Sequence, residues 1–155
     1  LMVRVRASST LPFVMPAVHI DGHVYYDGGL GQGAGIPLQL ALDSGCSRIF
    51  AILTRPKGFR KPAPDIGRSA RMIANSYHKY PYVREALLTR NERYNAELEK
   101  LEQLAVEGKA YIVYADKMAV ENNTTDIKKL RSSYFDGYNQ AQKQFPRWLE
   151  WLGIE

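Results

Sequence analysis

The stretch "RIFAILT", residues 48–54, decides the fold class that we predict for this chain. It is a nearly continuous apolar run, which is typical of a strand covered on both faces of a sheet. A second run of this kind, "AYIVYA" at residues 110–115, follows a long segment with helical periodicity. Apolar strands that alternate with helices favour an α/β fold with a largely parallel sheet.

Two elements are predicted upstream of the first apolar run. The segment "AVHIDGHVYYDGG" reads as two short strands joined at Asp21-Gly22, which is a strong hairpin signal. This hairpin would form a mixed part of the sheet. The segment "IPLQLALDSG", residues 36–45, predicts a helix, because Pro37 suits the first turn and Gly45 suits the end.

The segment from 84 to 107 predicts one long helix. Leu98 and Leu101 recur at helical spacing on an apolar stripe, whereas Glu97 belongs to the charged face. We therefore expect the two leucines to be buried and the glutamate to face solvent. Gly108 is expected to end this helix.

Three other helices complete the pattern. One is predicted over about 66–77, and Pro81 is expected to end it. Another begins near Asp126, with Thr125 as its N-cap. The segment "PRWLEWLG" then predicts a separate, short C-terminal helix.

Several residues of types that often carry chemistry are assigned structural roles. His19 and His23 flank the hairpin turn, where they are polar strand residues without a third metal ligand, so no metal site is predicted. Trp148 and Trp151 are expected to pack the terminal helix on the core, with anchoring in a membrane interface as the alternative. Cys46 is expected to be a small buried residue.

Length and composition favour a soluble globular domain. The chain has 155 residues, of which 45% are hydrophobic and 24% charged, and about one domain of this size buries a real core. No apolar run approaches the roughly 20 residues that span a bilayer. No signal peptide is recognisable, and a single cysteine fits a reducing compartment, so we expect a cytoplasmic protein.

The net charge of +5 is unevenly distributed, because residues 1–62 hold seven Lys and Arg against three Asp and Glu. The densest basic stretch, "RPKGFRKPAPDIGRSAR", is either a solvated loop or a contact for anionic lipid headgroups. No nucleic-acid partner is expected, because no RNA- or DNA-binding motif accompanies it. The residues predicted to contact anionic lipid, as a peripheral membrane contact, are Arg55, Lys57, Arg60 and Lys61.

The stretch "VYYDGGLGQGAGIP", residues 24–37, places one aspartate among five glycines. So many glycines indicate that something approaches the backbone closely: a phosphate, a cofactor or another catalytic loop. The glycines are Gly28, Gly29, Gly31, Gly33 and Gly35.

Dinucleotide binding is a remote alternative for this stretch, because Gly29 to Ala34 fits the pattern G-x-G-x-x-A. Three features disfavour it. The preceding strand belongs to a hairpin, Pro37 removes a helix N–H near the place of a pyrophosphate, and no acidic residue ends "RIFAILT".

Two segments together resemble the patatin-like phospholipase family. The first, Ala7 to Pro12, reads A-S-S-T-L-P and is similar to the family's A-S-S-A-x-P segment. The second is Asp27-Gly28-Gly29, similar to the family's D-G-G/A motif and followed by a helix start of the family's I-P type at Ile36-Pro37. The later stretches "RIFAILTRPKGFRK" and "KKLRSSYFDGYNQA" look like a bacterial branch of the same family.

The resemblance implies a lipid acyl hydrolase, acting on a phospholipid or another acyl ester with a Ser-Asp dyad and no cofactor. Asp27 would be the proton acceptor, within the motif Asp27, Gly28 and Gly29. No G-x-S-x-G elbow occurs in the chain, and Ser44 in "DSGCS" ends a helix rather than beginning one. The nucleophile is therefore expected from the N-terminal half of the same protein, and this chain alone is predicted to be inactive.

The resemblance also implies an organisation of the chain. Residues 1–62 would form the C-terminal part of a patatin-type three-layer α/β/α catalytic domain, and residues 63–155 a helix-rich α/β extension. Glycines 31, 33 and 35 depart from shorter family versions, so no contact is assigned to them. The rival interpretation is a non-catalytic lipid- or protein-binding domain that keeps the patatin fold.

Overall fold

A computed structural model describes residues 1–63, 67–121 and 124–154 of a mixed α/β protein. Two compact units emerge, and each is described by itself. The hairpin unit comprises Leu1–Ser47 with Arg60–Gln103, and the sheet unit comprises Arg48–Phe59 with Leu104–Glu155. In chain order the elements are α1 Met2–Ser8, β1 Val18–Ile20, β2 His23–Tyr25, a 3-10 turn Gly28–Leu30, α2 Leu38–Asp43, β3 Ile49–Leu53, α3 Arg68–Ser76, α4 Pro81–Leu88, α5 Arg90–Val106, β4 Ala110–Tyr114 and α6 Ile127–Leu152.

The predicted hairpin is confirmed. Strands β1 and β2 pair antiparallel, from Val18 opposite Tyr25 to Ile20 opposite His23. Both turn residues, Asp21 and Gly22, have positive φ, as a tight two-residue hairpin turn requires. Among the described residues the hairpin pairs only with itself, so the expectation that it joins a larger mixed sheet is wrong.

Helix α2 begins after Pro37 and is followed by Gly45 in a left-handed conformation, as predicted. The prediction that Cys46 is buried is wrong. Cys46 follows the turn at Gly45, within a run from 42 to 48 in which every residue is exposed.

The helices after the basic loop differ from the prediction. Helix α3 is confirmed from Arg68, while the predicted start at Ile66 lies outside the described residues. Pro81 begins α4 instead of ending a helix, because the first helical position needs no backbone N–H.

The single long helix predicted over 84–107 is also wrong, since α4 and α5 are separated at Thr89. Thr89 closes α4 by donating its N–H and its hydroxyl to the Glu85 carbonyl. Burial of Leu98 and Leu101 is confirmed, and Gly108 has the predicted left-handed conformation after α5.

The sheet unit contains the predicted parallel pair. Strands β3 and β4 run in register from Ile49 opposite Ala110 to Leu53 opposite Tyr114. Coverage of β3 on both faces is not observed, because Ile52 is 67% exposed. Its side chain borders an open cleft, and in the described part of the chain β3 has a neighbouring strand on only one edge.

Helix α6 is one continuous helix, so the prediction of a separate C-terminal helix is wrong. Its N-cap is Asp126, whose carboxylate accepts the N–H groups of Lys128 and Lys129, and not Thr125 as predicted. A carboxylate one residue later reaches these N–H groups directly.

Trp148 and Trp151 pack as predicted. Both rings contact Phe50, at centroid distances of 5.7 and 6.1 Å, and Trp151 also contacts Tyr111 at 5.7 Å. In the described ranges, no helix has both the length and the apolar character needed to cross a bilayer.

Candidate functional site at the Asp27 loop

The Asp27 loop, residues 27–37, follows β2 in the hairpin unit. The Asp27 N–H donates to the Thr10 carbonyl over 2.8 Å. Thr10 is itself buried, and its hydroxyl donates to the Arg6 carbonyl over 2.7 Å. One hydrogen bond thus joins the A-S-S-T-L-P segment to the D-G-G segment.

The Asp27 carboxylate is half-buried and caps the 3-10 turn Gly28–Leu30. Its Oδ1 accepts the N–H of Gly29 over 2.6 Å. An aspartate before a short helical turn commonly accepts a backbone N–H in this way. The carboxylate therefore has a fixed direction at the start of the loop.

Close approach to the glycine backbone, which the sequence predicts, comes here from the chain itself. A Cβ added at Gly29 would lie 2.8 Å from Asp27 Oδ1 and 2.9 Å from Arg90 Nη2. One added at Gly33 would lie 1.8 Å from the Ile36 carbonyl oxygen. Neither position accepts a side chain without movement of a neighbour.

Two arginines of α5 hold the loop by its carbonyl groups. Arg90 Nε donates to the Gly29 carbonyl over 3.2 Å. The Arg93 guanidinium donates to the carbonyls of Leu30, Gly31 and Gln32, and to that of Ala86 in α4. A planar, always charged fork suits such multiple contacts.

The role of these arginines was not predicted, because the helix expected over 84–107 placed both of them in its interior. Arg90 and Arg93 lie in the first turn of α5, where the helix dipole favours acidic residues instead. In the structure these two cations are stabilised by a partner that offers several carbonyl oxygens. The Asp27 loop is that partner.

Glu97 corrects a prediction, because its side chain is buried and not exposed on a polar face. It is 4% exposed, and its Oε1 accepts the N–H of Gln39 over 3.1 Å. Lys100 Nζ lies 3.4 Å from Oε2. Gln39 lies in the first turn of α2, where backbone N–H groups lack helical partners. Glu97 thus caps α2 from a distant part of the chain.

Aromatic rings support the residue before Asp27. Tyr26 and Phe13 each meet the ring of buried Tyr77 edge-on, at 6.2 and 4.9 Å. Burial raises the pKa of the Tyr26 phenol above its ordinary value of 10.0, and a hydrogen bond with Tyr77 acts in the same direction. Tyr26 therefore stays neutral at physiological pH.

A cleft of about 520 Å³ borders the loop. Its walls include Gly28 and Gly29 of the motif together with Pro37 and Leu40. This volume lies within the range of small-molecule sites. A substrate in this cleft would lie beside Gly28 and Gly29, the two residues that follow Asp27.

The loop geometry differs from a dinucleotide-binding turn. It follows an antiparallel hairpin strand, and the six-residue helix α2 comes after it. The parallel strands β3 and β4 belong to the sheet unit. A Gly-rich pyrophosphate turn instead connects a parallel strand to a helix N-terminus.

The four residues predicted to contact lipid are divided between the two units, and three of them contact other side chains of the protein. Arg55 stacks on Phe59 at 4.8 Å in the sheet unit, where Lys57 is exposed. In the hairpin unit Arg60 pairs with a glutamate of α5, and Lys61 Nζ lies 3.9 Å from the Tyr94 ring centroid. Their contact with lipid stays a prediction.

The histidines lie where the sequence predicts them. His19 and His23 are exposed on β1 and β2. Within the part of the chain that the structure describes, no three His, Cys, Asp or Glu residues form a group able to hold a metal ion.

Comparison with known proteins gives one match. A family model described as a domain of unknown function, DUF6363, matches residues 80–153, slightly under half of the chain. No curated protein matches the chain, and no solved structure does. The matched region contains Arg90, Arg93 and Glu97 but not Asp27, so the residues that hold the loop lie inside it and the loop itself lies outside.

Proposed function

We propose that Asp27 is the proton acceptor of a patatin-like lipid acyl hydrolase whose serine nucleophile lies outside these 155 residues. The observation that carries the proposal is the hydrogen bond from the Asp27 N–H to the Thr10 carbonyl. It brings together the two segments on which the family resemblance rests. A patatin-type α/β/α arrangement, with this chain as its C-terminal part, belongs to the same proposal.

The chemistry assigns one task to the Asp27 carboxylate. It removes the proton from the serine hydroxyl as the oxygen attacks the ester carbonyl, and an acyl-enzyme forms as the alcohol leaves. Water then hydrolyses the acyl-enzyme and releases the fatty acid. A carboxylate accepts several hydrogen bonds, so the bond from Gly29 leaves capacity for the serine proton.

The surroundings of Asp27 support this task. The serine oxygen must come within about 2.6–3.2 Å of the carboxylate, and the glycines on its C-terminal side place no side chain in the way. The neighbouring cleft has apolar wall residues, Pro37 and Leu40 among them, that suit an acyl chain. The substrate class that belongs to this proposal, a phospholipid or another acyl ester, is the one that the family resemblance implies.

A non-catalytic role is the second candidate, favoured by one specific observation. The Asp27 carboxylate already caps the turn Gly28–Leu30 through Gly29. A turn aspartate needs no further function than this. The rival is thus a lipid- or protein-binding domain of patatin type in which Asp27 is structural.

Replacement of Asp27 by asparagine separates the two candidates. Asparagine keeps an oxygen that accepts the Gly29 N–H, but its amide has no basic lone pair. In the full-length protein Asp27→Asn should leave the melting temperature nearly unchanged and reduce hydrolysis of a chromogenic acyl ester at least ~10²-fold.

Asp21→Asn is the matched control, because Asp21 is an exposed turn aspartate of the same unit. It should keep full activity. Full activity of Asp27→Asn would instead support the structural role and refute the proposed one.

A further inference from the structure

Helix α6 carries two apolar faces, and among the described residues only one of them packs against the sheet. The packed face includes Trp148 and Trp151, which contact Phe50 of the sheet. The second face has side chains seven, four and seven residues apart, a spacing that places them along one side of a helix. We name it the aromatic face, formed by Ile127, Tyr134, Tyr138 and Phe145.

The aromatic face is open to solvent along its length. Its four side chains are between 49% and 66% exposed. Tyr134 and Tyr138 stack on each other with their ring centroids 6.3 Å apart. Exposed apolar surface of this extent on one helix marks an interaction site.

Charge identifies the kind of partner. Lys128, Lys129 and Arg131 lie exposed at the start of α6, and their side chains form no ion pair with any residue that the structure describes. The whole helix holds five Lys and Arg against two Asp and Glu. A second copy of α6 would bring the same excess positive charge, so self-pairing is disfavoured. An anionic partner is favoured.

We propose that the aromatic face of α6 binds the surface of an anionic lipid membrane. Tyrosine and phenylalanine beside Lys and Arg are the residue types that place a helix in the headgroup region. Because no described helix can cross a bilayer, α6 would lie in the plane of the surface. This contact involves other residues than the basic loop, and it does not depend on ester hydrolysis.

Sedimentation with vesicles tests the proposal on the full chain. The probe is phosphatidylglycerol mixed into phosphatidylcholine vesicles, with pure phosphatidylcholine for comparison. The variant Tyr134→Ser/Tyr138→Ser/Phe145→Ser should bind at least about tenfold more weakly, because three rings lose their burial in lipid. Tyr82→Ser is the matched control, since Tyr82 is an 85% exposed aromatic residue of α4.

The charged residues provide a second arm. Lys128→Gln/Arg131→Gln changes the two basic residues nearest to the aromatic face and should weaken binding, by about fivefold per residue near the surface at low salt. It should also reduce the dependence of binding on ionic strength. All three variants change exposed side chains, and circular dichroism checks that α6 still forms.

A fluorophore reports whether the aromatic face enters the lipid. An environment-sensitive dye on Tyr138→Cys, in a Cys46→Ser background, should brighten when anionic vesicles are added. The same dye on native Cys46, which is exposed in the hairpin unit, should not.

Three outcomes would overturn the proposal. One is the absence of vesicle binding by the unchanged chain. Another is binding that survives the aromatic variant but disappears in Lys57→Ala/Arg60→Ala/Lys61→Ala. The third is self-association, measured by sedimentation velocity, that the aromatic variant abolishes while lipid binding persists.

Discussion

The Asp27 loop and the sheet unit are each stabilised internally, by different kinds of interaction. Arg90, Arg93 and Glu97 hold the loop region through hydrogen bonds from charged side chains to backbone groups. The sheet unit is held by rings, with Phe50 and Tyr111 stacked at 5.4 Å beneath the tryptophans of α6. Hydrogen bonds from charged side chains fix the orientation of the backbone groups that they contact. Aromatic packing stabilises mainly through the apolar area that the rings bury.

The largest expected effect comes from the buried apolar side of α5. Leu101 is fully buried in α5, the helix that also carries Arg90 and Arg93. Leu101→Ala should therefore reduce the free energy of unfolding by about 2–5 kcal/mol. Denaturant titration measures this change. Val106→Ala, in the same helix at a 90% exposed position, should stay within about 0.5 kcal/mol of the unchanged chain. Equal effects of the two variants would mean that α5 is not packed as described.

Replacement of Arg93 should have a smaller effect on stability, confined mainly to the Asp27 loop. Arg93→Ala leaves the carbonyls of Leu30 and Gly31 without their charged donor, which costs about 1.5–3 kcal/mol. Amide hydrogen exchange should accelerate across the Asp27 loop and remain unchanged in β3. Arg93→Lys should not restore protection, because lysine lacks the planar fork. Restored protection would show that the charge alone holds the loop.

The sequence predicted what depends on neighbouring residues. The hairpin follows from Asp21-Gly22, and the strands β3 and β4 follow from their apolar runs. Their parallel pairing was expected from the α/β alternation and not from any residue pair. The contacts of the Asp27 loop join residues that lie about sixty positions apart. Hydrophobic periodicity carries no information about such distant pairs, so these hydrogen bonds could be identified only from the structure.

The helix boundaries were mispredicted for a related reason. A proline usually ends a helix, yet α6 continues through Pro146. Two residues beyond it, the Trp148 ring packs on Phe50 of β3 at a centroid distance of 5.7 Å. Packing thus stabilises α6 at a position where the local preference of proline opposes a helix. The break at Thr89 was not predicted for a different reason, because the apolar spacing continues across it.

The smallest effect concerns the start of α6 in the sheet unit. Asp126→Ala removes the side chain that accepts the N–H groups of Lys128 and Lys129, so it should reduce stability by about 1 kcal/mol. Thr125→Ala should change stability by less than about 0.5 kcal/mol. A larger loss of thermal stability in Thr125→Ala than in Asp126→Ala would show that Thr125 is the N-cap.

Labelling with a fluorophosphonate distinguishes a catalytic Asp27 from a structural one, because the reagent reacts covalently with activated serines. We expect no label on the 155-residue chain, one labelled serine upstream of it in the full-length protein, and much slower labelling of that serine in Asp27→Asn. A label on any serine of the isolated chain would contradict the account. So would equal labelling rates with aspartate and asparagine at position 27.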